Sequence, residues 1–382
     1  MSGAILLTGA TGFLGMDILA RLIERDGGQP REGAQIAVLV RAPDDASAQE
    51  RLRVVLARLY DGPAPAAAAR IRAVRGDLLQ PGLGLSRPDH EWLVGSVDRI
   101  VHCAASISFD LPLEQARAIN VGGVERVMEL AREIAARGLL RRVVHVSTAY
   151  VSGRHAGEFG ERDLDVGQQF RNTYERSKHE AERLLLGAVD LPLAVARPSI
   201  VVGHSVSGWT SAFNVLYWPL RAFERGLLDE VPARADSIVD FVPVDYVTDG
   251  ILALLDAETV RGTYSLVAGE RALSAGELVA LHSSLTGRAP VRFVAPQHGA
   301  GGERSKGEEQ GSSGLPAGAE TFAPYFDVRC RFTDVRALAM LARAGVEKPD
   351  PKGYLAALIG YAQSTAWGKR PITRQASLAV VE

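Results

Sequence analysis

Ala4-Ile5-Leu6-Leu7-Thr8-Gly9-Ala10-Thr11-Gly12-Phe13-Leu14-Gly15 stands at the head of the chain, and its reading decides the fold. An apolar run over 4–8 reads as a strand. Three glycines spaced by three follow, and an amphipathic stretch over 12–25 then carries Leu14, Ile18 and Leu22 on one stripe. In that order, Gly9 makes the tight turn and Gly12 lets the backbone approach a pyrophosphate. Gly15 lets the helix pack closely on the strand. A helix starting there offers free N–H groups and positive potential to phosphates, with Thr11, Phe13 and Leu14 in the same turn. Glycine triplets are common in loops. A strand before and a helix after are what make this one a candidate dinucleotide loop.

The same rhythm continues to about residue 200. Strands are expected over 35–40, 71–74, 99–102, 142–146 and 193–196, and helices over 115–137 and 173–186. A helix over 246–255 and a seventh strand over 264–267 extend the pattern. Strands alternating with helices predict an α/β fold with a doubly wound parallel sheet. Two intervals, 201–240 and 268–370, break the rhythm. They predict a smaller, mostly α substrate domain at the carboxyl side of the sheet, where open α/β folds bind ligands. The nucleotide-binding domain is then 1–200 with 241–267. Residues 297–320, rich in Gly, Ser, Glu and Lys, read as a flexible surface loop, and 371–382 as a tail.

Bulk properties narrow the function. Of 382 residues, 47% are hydrophobic and 23% charged, as in ordinary globular proteins, and the formal net charge of −2 argues against nucleic acid as a partner. Two cysteines, Cys103 and Cys330, are too few for a disulfide framework, and no His, Cys or carboxylate cluster has metal-ligand spacing. No stretch reaches the roughly 18 apolar residues that span a bilayer. A soluble cytoplasmic protein without a metal is expected.

Chemistry is carried by Tyr174-Glu175-Arg176-Ser177-Lys178. A phenol and an ammonium four residues apart share one helical face. The ammonium is expected to favour the phenolate, making a proton donor and acceptor usable near neutral pH. Lysine is scarce, five residues against 38 arginines, so the pair is a noteworthy coincidence if it is one. At the end of the second strand, where a carboxylate would mark NAD, the chain has Arg41, which can clamp a 2′-phosphate bidentately. Arg41 therefore argues for NADP(H), with Arg51 assisting from the next helix. Asp44 and Asp45 are close enough in sequence to pair with Arg41 instead. Asp77, with Leu78, follows the third strand, either at the adenine amino group or as a turn residue.

These residues together resemble the extended short-chain dehydrogenase/reductase family over residues 4 to about 270. The resemblance implies a Rossmann-type doubly wound sheet. It places Ala104 and Ala105, in Val101-His102-Cys103-Ala104-Ala105, along the cofactor's ribose, and Asn120 on the family's helix segment. It makes Thr148 the third catalytic group beside Tyr174 and Lys178, and sets Pro198, Ser199 and Ile200 next to the nicotinamide. Within the family, Gly9–Gly15, Leu39-Val40-Arg41-Ala42, Ser147-Thr148-Ala149 and Phe241-Val242-Pro243-Val244-Asp245 look like the branch of fatty acyl-CoA reductases and thioester reductase domains. That branch implies NADPH-dependent reduction of an acyl thioester, carried by CoA or by an acyl or peptidyl carrier protein, to an aldehyde or alcohol. Asn172-Thr173 before Tyr174 departs from the Gly-Tyr pair of many thioester reductases. A sugar-nucleotide epimerase or dehydratase, a hydroxysteroid-type dehydrogenase, and a non-catalytic dinucleotide sensor remain as alternatives, and the oligomeric state is open.

Other conspicuous residues read as structural. Phe213, Leu216, Tyr217, Leu220 and Phe223 fall near helical spacing around Pro219 and are expected to pack a core rather than wall an acyl channel. His102 and His145, on apolar strands, are expected to be satisfied core histidines, and Cys103 a small buried hydrophobe.

Overall fold

The run Ala4–Thr8 is buried at every position and forms β1, an interior strand of the sheet. The structure is a computed structural model describing residues 3–25, 35–213, 215–227, 230–294, 325 and 327–381. The other main strands are β2 (Ile36–Val40), β3 (Ile71–Arg75), β4 (Val97–His102), β5 (Arg142–Val146), β6 (Leu193–Pro198) and β7 (Gly262–Leu266). They lie in the order β7-β6-β5-β4-β1-β2-β3, every pair parallel. Strand order reverses between β1 and β4, and the crevice outside the carboxyl ends of the strands there is where such sheets take ligands. All seven expected strands are present, and the α/β doubly wound fold is as the sequence predicts.

Both faces of the sheet are covered, so the inner strands β1 and β2 are apolar almost throughout rather than alternating with polar residues. Alternate residues still point to opposite layers. Ile5 and Leu7 pack with α1 (Phe13–Glu24), α2 (Asp45–Leu59) and a helix over Val244–Asp256. Ala4 and Leu6 pack with α3 (Arg87–Ser96), α5 (Gly122–Ala136) and α6 (Thr173–Leu185). Between α3 and α5 lies α4 (Leu113–Asn120), so the single helix expected over 115–137 is divided at Val121.

A separate cluster joins the two intervals that break the βα rhythm. Val202, Leu216, Tyr217, Leu220 and Phe241 pack there against Leu273, Leu278, Tyr354, Leu355, Leu358 and Ile359. Its helices are α7 (Tyr217–Glu224), α9 (Ala275–Thr286) and α11 (Pro351–Ser364), with Val244–Asp256 as α8 between them in sequence. Helix α7 begins only at Tyr217, which leaves Pro219 in the first turn, where a missing N–H costs nothing.

Two features differ from expectation. Gly157–Phe159 and Cys330–Phe332 form a parallel pair that brings the late chain back across the molecule. It leads into α10 (Val335–Arg343), whose first N–H groups, of Arg336 and Ala337, donate to the Glu161 carboxylate at 2.6 and 2.9 Å. The stretch 371–382 is not a simple tail: it contains α12 (Arg374–Ala379). Arg374, 2% exposed, donates to Asp17 Oδ1 at 2.7 Å and to Glu24 Oε1 at 2.7 Å, both on α1. The loop expected over 297–320 lies outside the described residues. Among the described residues no helix is long and apolar enough to cross a membrane.

Candidate active site

A cavity of about 900 Å³ opens at the strand-order reversal, over the carboxyl ends of β1, β2, β4, β5 and β6. Its floor is the glycine turn. Gly9 sits at φ +82°, and a Cβ there would lie 2.6 Å from Ala104 N. At Gly15 a Cβ would lie 2.1 Å from Gly9 O, so only glycine lets α1 come this close. Gly12 is the N-cap of α1 and provides no side-chain cap. The N–H groups of the first turn, on Phe13, Leu14 and Gly15, have no intrahelical partner and lie at the cavity wall, a cradle suited to phosphate.

At the far end of β2, Arg41 and Arg51 line the same cavity, and Arg51 Nη1 donates to the Arg41 carbonyl at 2.5 Å. The acidic neighbours are engaged elsewhere. Asp44 caps α2 by accepting from Ser47 N at 2.7 Å, and Asp45 pairs with Arg75 at 3.3 Å. The exposed guanidinium of Arg41 therefore faces the cavity without the ion pair that the sequence left open. Asp77 accepts from Leu79 N at 3.0 Å in a turn and also borders the cavity beside Leu78. The turn reading holds, and its place at the cavity leaves the adenine role open to a bound nucleotide.

The β4 and β5 ends supply the other wall. Ala104 N donates to Thr8 Oγ1 at 3.1 Å, tying the Ala104–Ala105 segment to β1. Asn120 does not reach the cavity. It is 2% exposed and accepts from Ser106 N at 2.8 Å. Its amide donates to Ser106 O at 3.0 Å and to Ser177 Oγ at 2.9 Å. Asn120 thus ties the 104–110 segment to α6 from behind the wall. Pro198, Ser199 and Ile200 border the cavity where β6 ends.

Thr148, Tyr174 and Lys178 meet in the same cavity. Asn172 caps α6 by accepting from Glu175 N at 2.9 Å, which fixes the first turn that carries Tyr174. Thr148 follows β5 in extended conformation; its Oγ1 accepts from Tyr150 N at 3.2 Å and donates to Pro198 O at 3.5 Å, and it borders the cavity together with Tyr174. Burial pushes the Tyr174 phenol up to about 12, against the smaller opposing effect of Thr148. The expectation that Lys178 stabilises the phenolate is therefore corrected. Lys178 Nζ turns away, donating to Val146 O at 2.9 Å and lying 3.3 Å from His145 Nε2. Burial lowers the Lys178 ammonium to about 8, while Glu182 and Cys103 oppose the shift. The Cys103 thiol, raised to about 12 by desolvation, stays neutral, but the residue is only partly buried and borders the cavity, which corrects its reading as a buried hydrophobe.

Several residues at the site were not anticipated. Tyr325 inserts beside Tyr174: its ring stacks on Phe109 at 5.3 Å and meets Tyr150 edge-on at 5.3 Å. Phe109 also contacts Tyr174 at 5.8 Å. The Tyr325 hydroxyl accepts from Asn172 Nδ2 at 2.9 Å, and the Arg171 guanidinium lies 5.6 Å from its ring. A lone tyrosine more than 140 residues along the chain carries no periodic signal that would have found it. Of the residues around Pro219, Phe213, Leu216, Tyr217, Leu220 and Phe223 do not line the cavity, whereas Val215 does. The packing reading fits them.

Comparison with known proteins follows the geometry. The profile of the male sterility protein family matches residues 7–251. Fatty acyl-CoA reductase 1 of Mus musculus is 31% identical over 283 residues, covering 65% of this chain and 53% of that protein. A linear gramicidin synthase polypeptide of Brevibacillus parabrevis is 34% identical over 274 residues, covering 69% of this chain and 5% of that polypeptide. The chain spans about half the length of the curated fatty acyl-CoA reductases it matches. Its fold superposes on the terminal R domain of the myxalamid PKS-NRPS pathway with a TM-score of 0.75 at 25% identity, covering 97% of this chain and 93% of that one. MoeE5, solved with UDP-glucose and NAD, shares the fold at a TM-score of 0.63 and 21% identity, covering 95% of this chain and all of that one.

Proposed function

We propose that this chain, which belongs to the male sterility family of extended short-chain dehydrogenase/reductases, reduces an acyl thioester with NADPH, releasing the acyl group as an aldehyde or alcohol. The observation that carries the reading is the meeting of the Thr148 and Tyr174 hydroxyls in one cavity with the glycine turn and Arg41. The relatives named as fatty acyl-CoA reductases and the similar R domain support the thioester as substrate.

The residues present suit the dinucleotide. Thr11–Gly15 would hold the pyrophosphate, Arg41 and Arg51 a 2′-phosphate, and Lys178 with the Ala104–Ala105 segment a ribose. NADPH, when bound, supplies a hydride to the thioester carbonyl carbon. Thr148 and Tyr174 donate hydrogen bonds to the carbonyl oxygen, stabilising the negative charge that grows on it. Tyr174 stays protonated through neutral pH, so it acts as the acid, passing its proton to that oxygen. The resulting hemithioacetal breaks its carbon–sulfur bond and gives an aldehyde and a thiol. Mixed aromatic and aliphatic walls of Phe109, Tyr150, Ile200 and Tyr325 exclude water around this step.

The test is purified protein with NADPH and a panel of acyl-CoAs and acyl carrier proteins. Aldehyde or alcohol with stoichiometric thiol supports the reading. No product from any thioester, alongside turnover of a ketone or sugar nucleotide, would reject it.

A further inference from the structure

Behind Lys178 lies a buried polar file that the proposed reaction does not use. His145 on β5 is 1% exposed, and its Nε2 is 3.3 Å from Lys178 Nζ. The His102 ring on β4 is also 1% exposed and lies 5.2 Å from that of His145, its register partner. His102 Nδ1 is 2.8 Å from Thr8 Oγ1 on β1. The file thus runs from α6 across three adjacent strands to the residue that opens the glycine turn.

Donor counting at Lys178 fixes the proton of His145. Thr8 Oγ1 accepts from Ala104 N and keeps a second lone pair, so its contact with His102 Nδ1 is compatible with either His102 tautomer. An ammonium offers three N–H donors. One goes to the Val146 carbonyl at 2.9 Å, and a second points at His145 Nε2. That nitrogen must therefore be the unprotonated acceptor, with the His145 proton on Nδ1, an atom without a hydrogen-bond partner among the described residues. Leaving a buried Nδ1–H unpaired costs stability, and the native contact it permits is the one to Lys178.

We infer that His145 is a positioning residue: with the Val146 carbonyl it takes two donors of the Lys178 ammonium and leaves the third aimed into the cavity. The inference rests on the reading of Lys178 as a dinucleotide ligand. Around Lys178, Glu182 is held by Arg197 in a bidentate pair, Cys103 is a neutral thiol, and His102 and Tyr174 are neutral as well. Burial and the ammonium itself keep His145 neutral, its imidazole lowered well below the usual histidine value. Among the described residues no carboxylate stands in for it as the second acceptor.

Nitrogen-15 NMR of the histidine-labelled wild-type chain, without added nucleotide, tests the assignment directly. His145→Gln identifies the signal. His145 is expected as the Nδ1–H tautomer at pH 7. A protonated Nε2 on His145 overturns the inference. Binding then separates positioning from packing. His145→Leu, which removes the acceptor, is expected to raise the NADPH dissociation constant about tenfold, by loss of a hydrogen bond to a charged group. The alkaline limb of binding should move to lower pH, because the ammonium loses support. His145→Gln, whose amide oxygen reaches the Nε2 position, restores most of both effects. A folded His145→Leu that binds like wild type, or a His145→Gln no closer to wild type than His145→Leu, contradicts the proposal. Should neither variant fold, the wild-type tautomer alone decides. None of these readouts depends on thioester turnover, so failure of the proposed reaction leaves them interpretable.

Discussion

Thr148, just past the end of β5, and Tyr174, in the first turn of α6, border the same cavity, where Thr148 opposes part of the rise that burial imposes on the phenol. The two hydroxyls stand there as neutral donors while Lys178, one turn along, donates to the Val146 carbonyl. The proposed reaction divides the labour accordingly: the two hydroxyls would face the carbonyl oxygen and the lysine the dinucleotide.

Removing the phenol isolates the acid. Tyr174→Phe keeps the ring and its contact with Phe109. General acid catalysis is worth about 10²–10⁴ in rate. The variant should lose kcat by that factor while its NADPH dissociation constant stays within about twofold of wild type. Stopped-flow hydride transfer and fluorescence titration measure the two.

The pH profile separates Tyr174 from Lys178. The Lys178 ammonium is lowered to about 8 by burial, so it is charged below that pH and loses its proton above it. Tyr174, pushed up to about 12, remains protonated across the range. NADPH binding should therefore hold steady from pH 6 to 7 and weaken as pH rises through about 8. Titration at fixed ionic strength checks the sign; binding that strengthens with pH would oppose it.

The proposed preference for NADPH rests on Arg41. A hydrogen-bonded charge contact is worth roughly 1.5–3 kcal/mol, or about 10- to 100-fold. Arg41→Ala should raise the KM for NADPH by that factor and leave the KM for NADH nearly unchanged. Parallel initial-rate measurements with both nucleotides distinguish this from general damage to the turn.

The C-terminal helix makes a stability prediction. Arg374 and Asp17 are 2% and 0% exposed, so Arg374→Ala strands a buried carboxylate on α1. Breaking a buried pair in this way costs about 3–5 kcal/mol. Denaturant unfolding should show a loss of that order. Arg374→Met, which keeps the volume, should not recover it, because Asp17 stays unpaired.

The sheet was legible because its strands are short apolar runs closed by Gly, Pro or Asp, and because a buried parallel strand needs no partner to be recognised. Glycine spacing revealed the turn for a similar reason: at Gly9 and Gly15 sterics exclude any Cβ. What the sequence hides are contacts between distant segments. Asn172 and Tyr325, 153 residues apart, meet beside Tyr174, and no local pattern marks either. Residues 371–382 read as a tail because α12 is short, and its hold on α1 lies in one buried arginine. Arithmetic on the Tyr174–Lys178 spacing found two residues that line one cavity and expected the wrong interaction between them. Helical geometry allows the two side chains to meet, but the Val146 carbonyl and His145 capture the ammonium first.

The most direct measurement follows the hydride. NADPH carrying deuterium at the transferable C4 position is incubated with wild-type protein and an acyl thioester, and the product is analysed by mass spectrometry. Deuterium at C1 of the aldehyde or alcohol, with equimolar free thiol and with yield falling at least about a hundredfold in Tyr174→Phe, is the result the account predicts. Undiminished labelled product from Tyr174→Phe, or thiol release without label at C1, would contradict it.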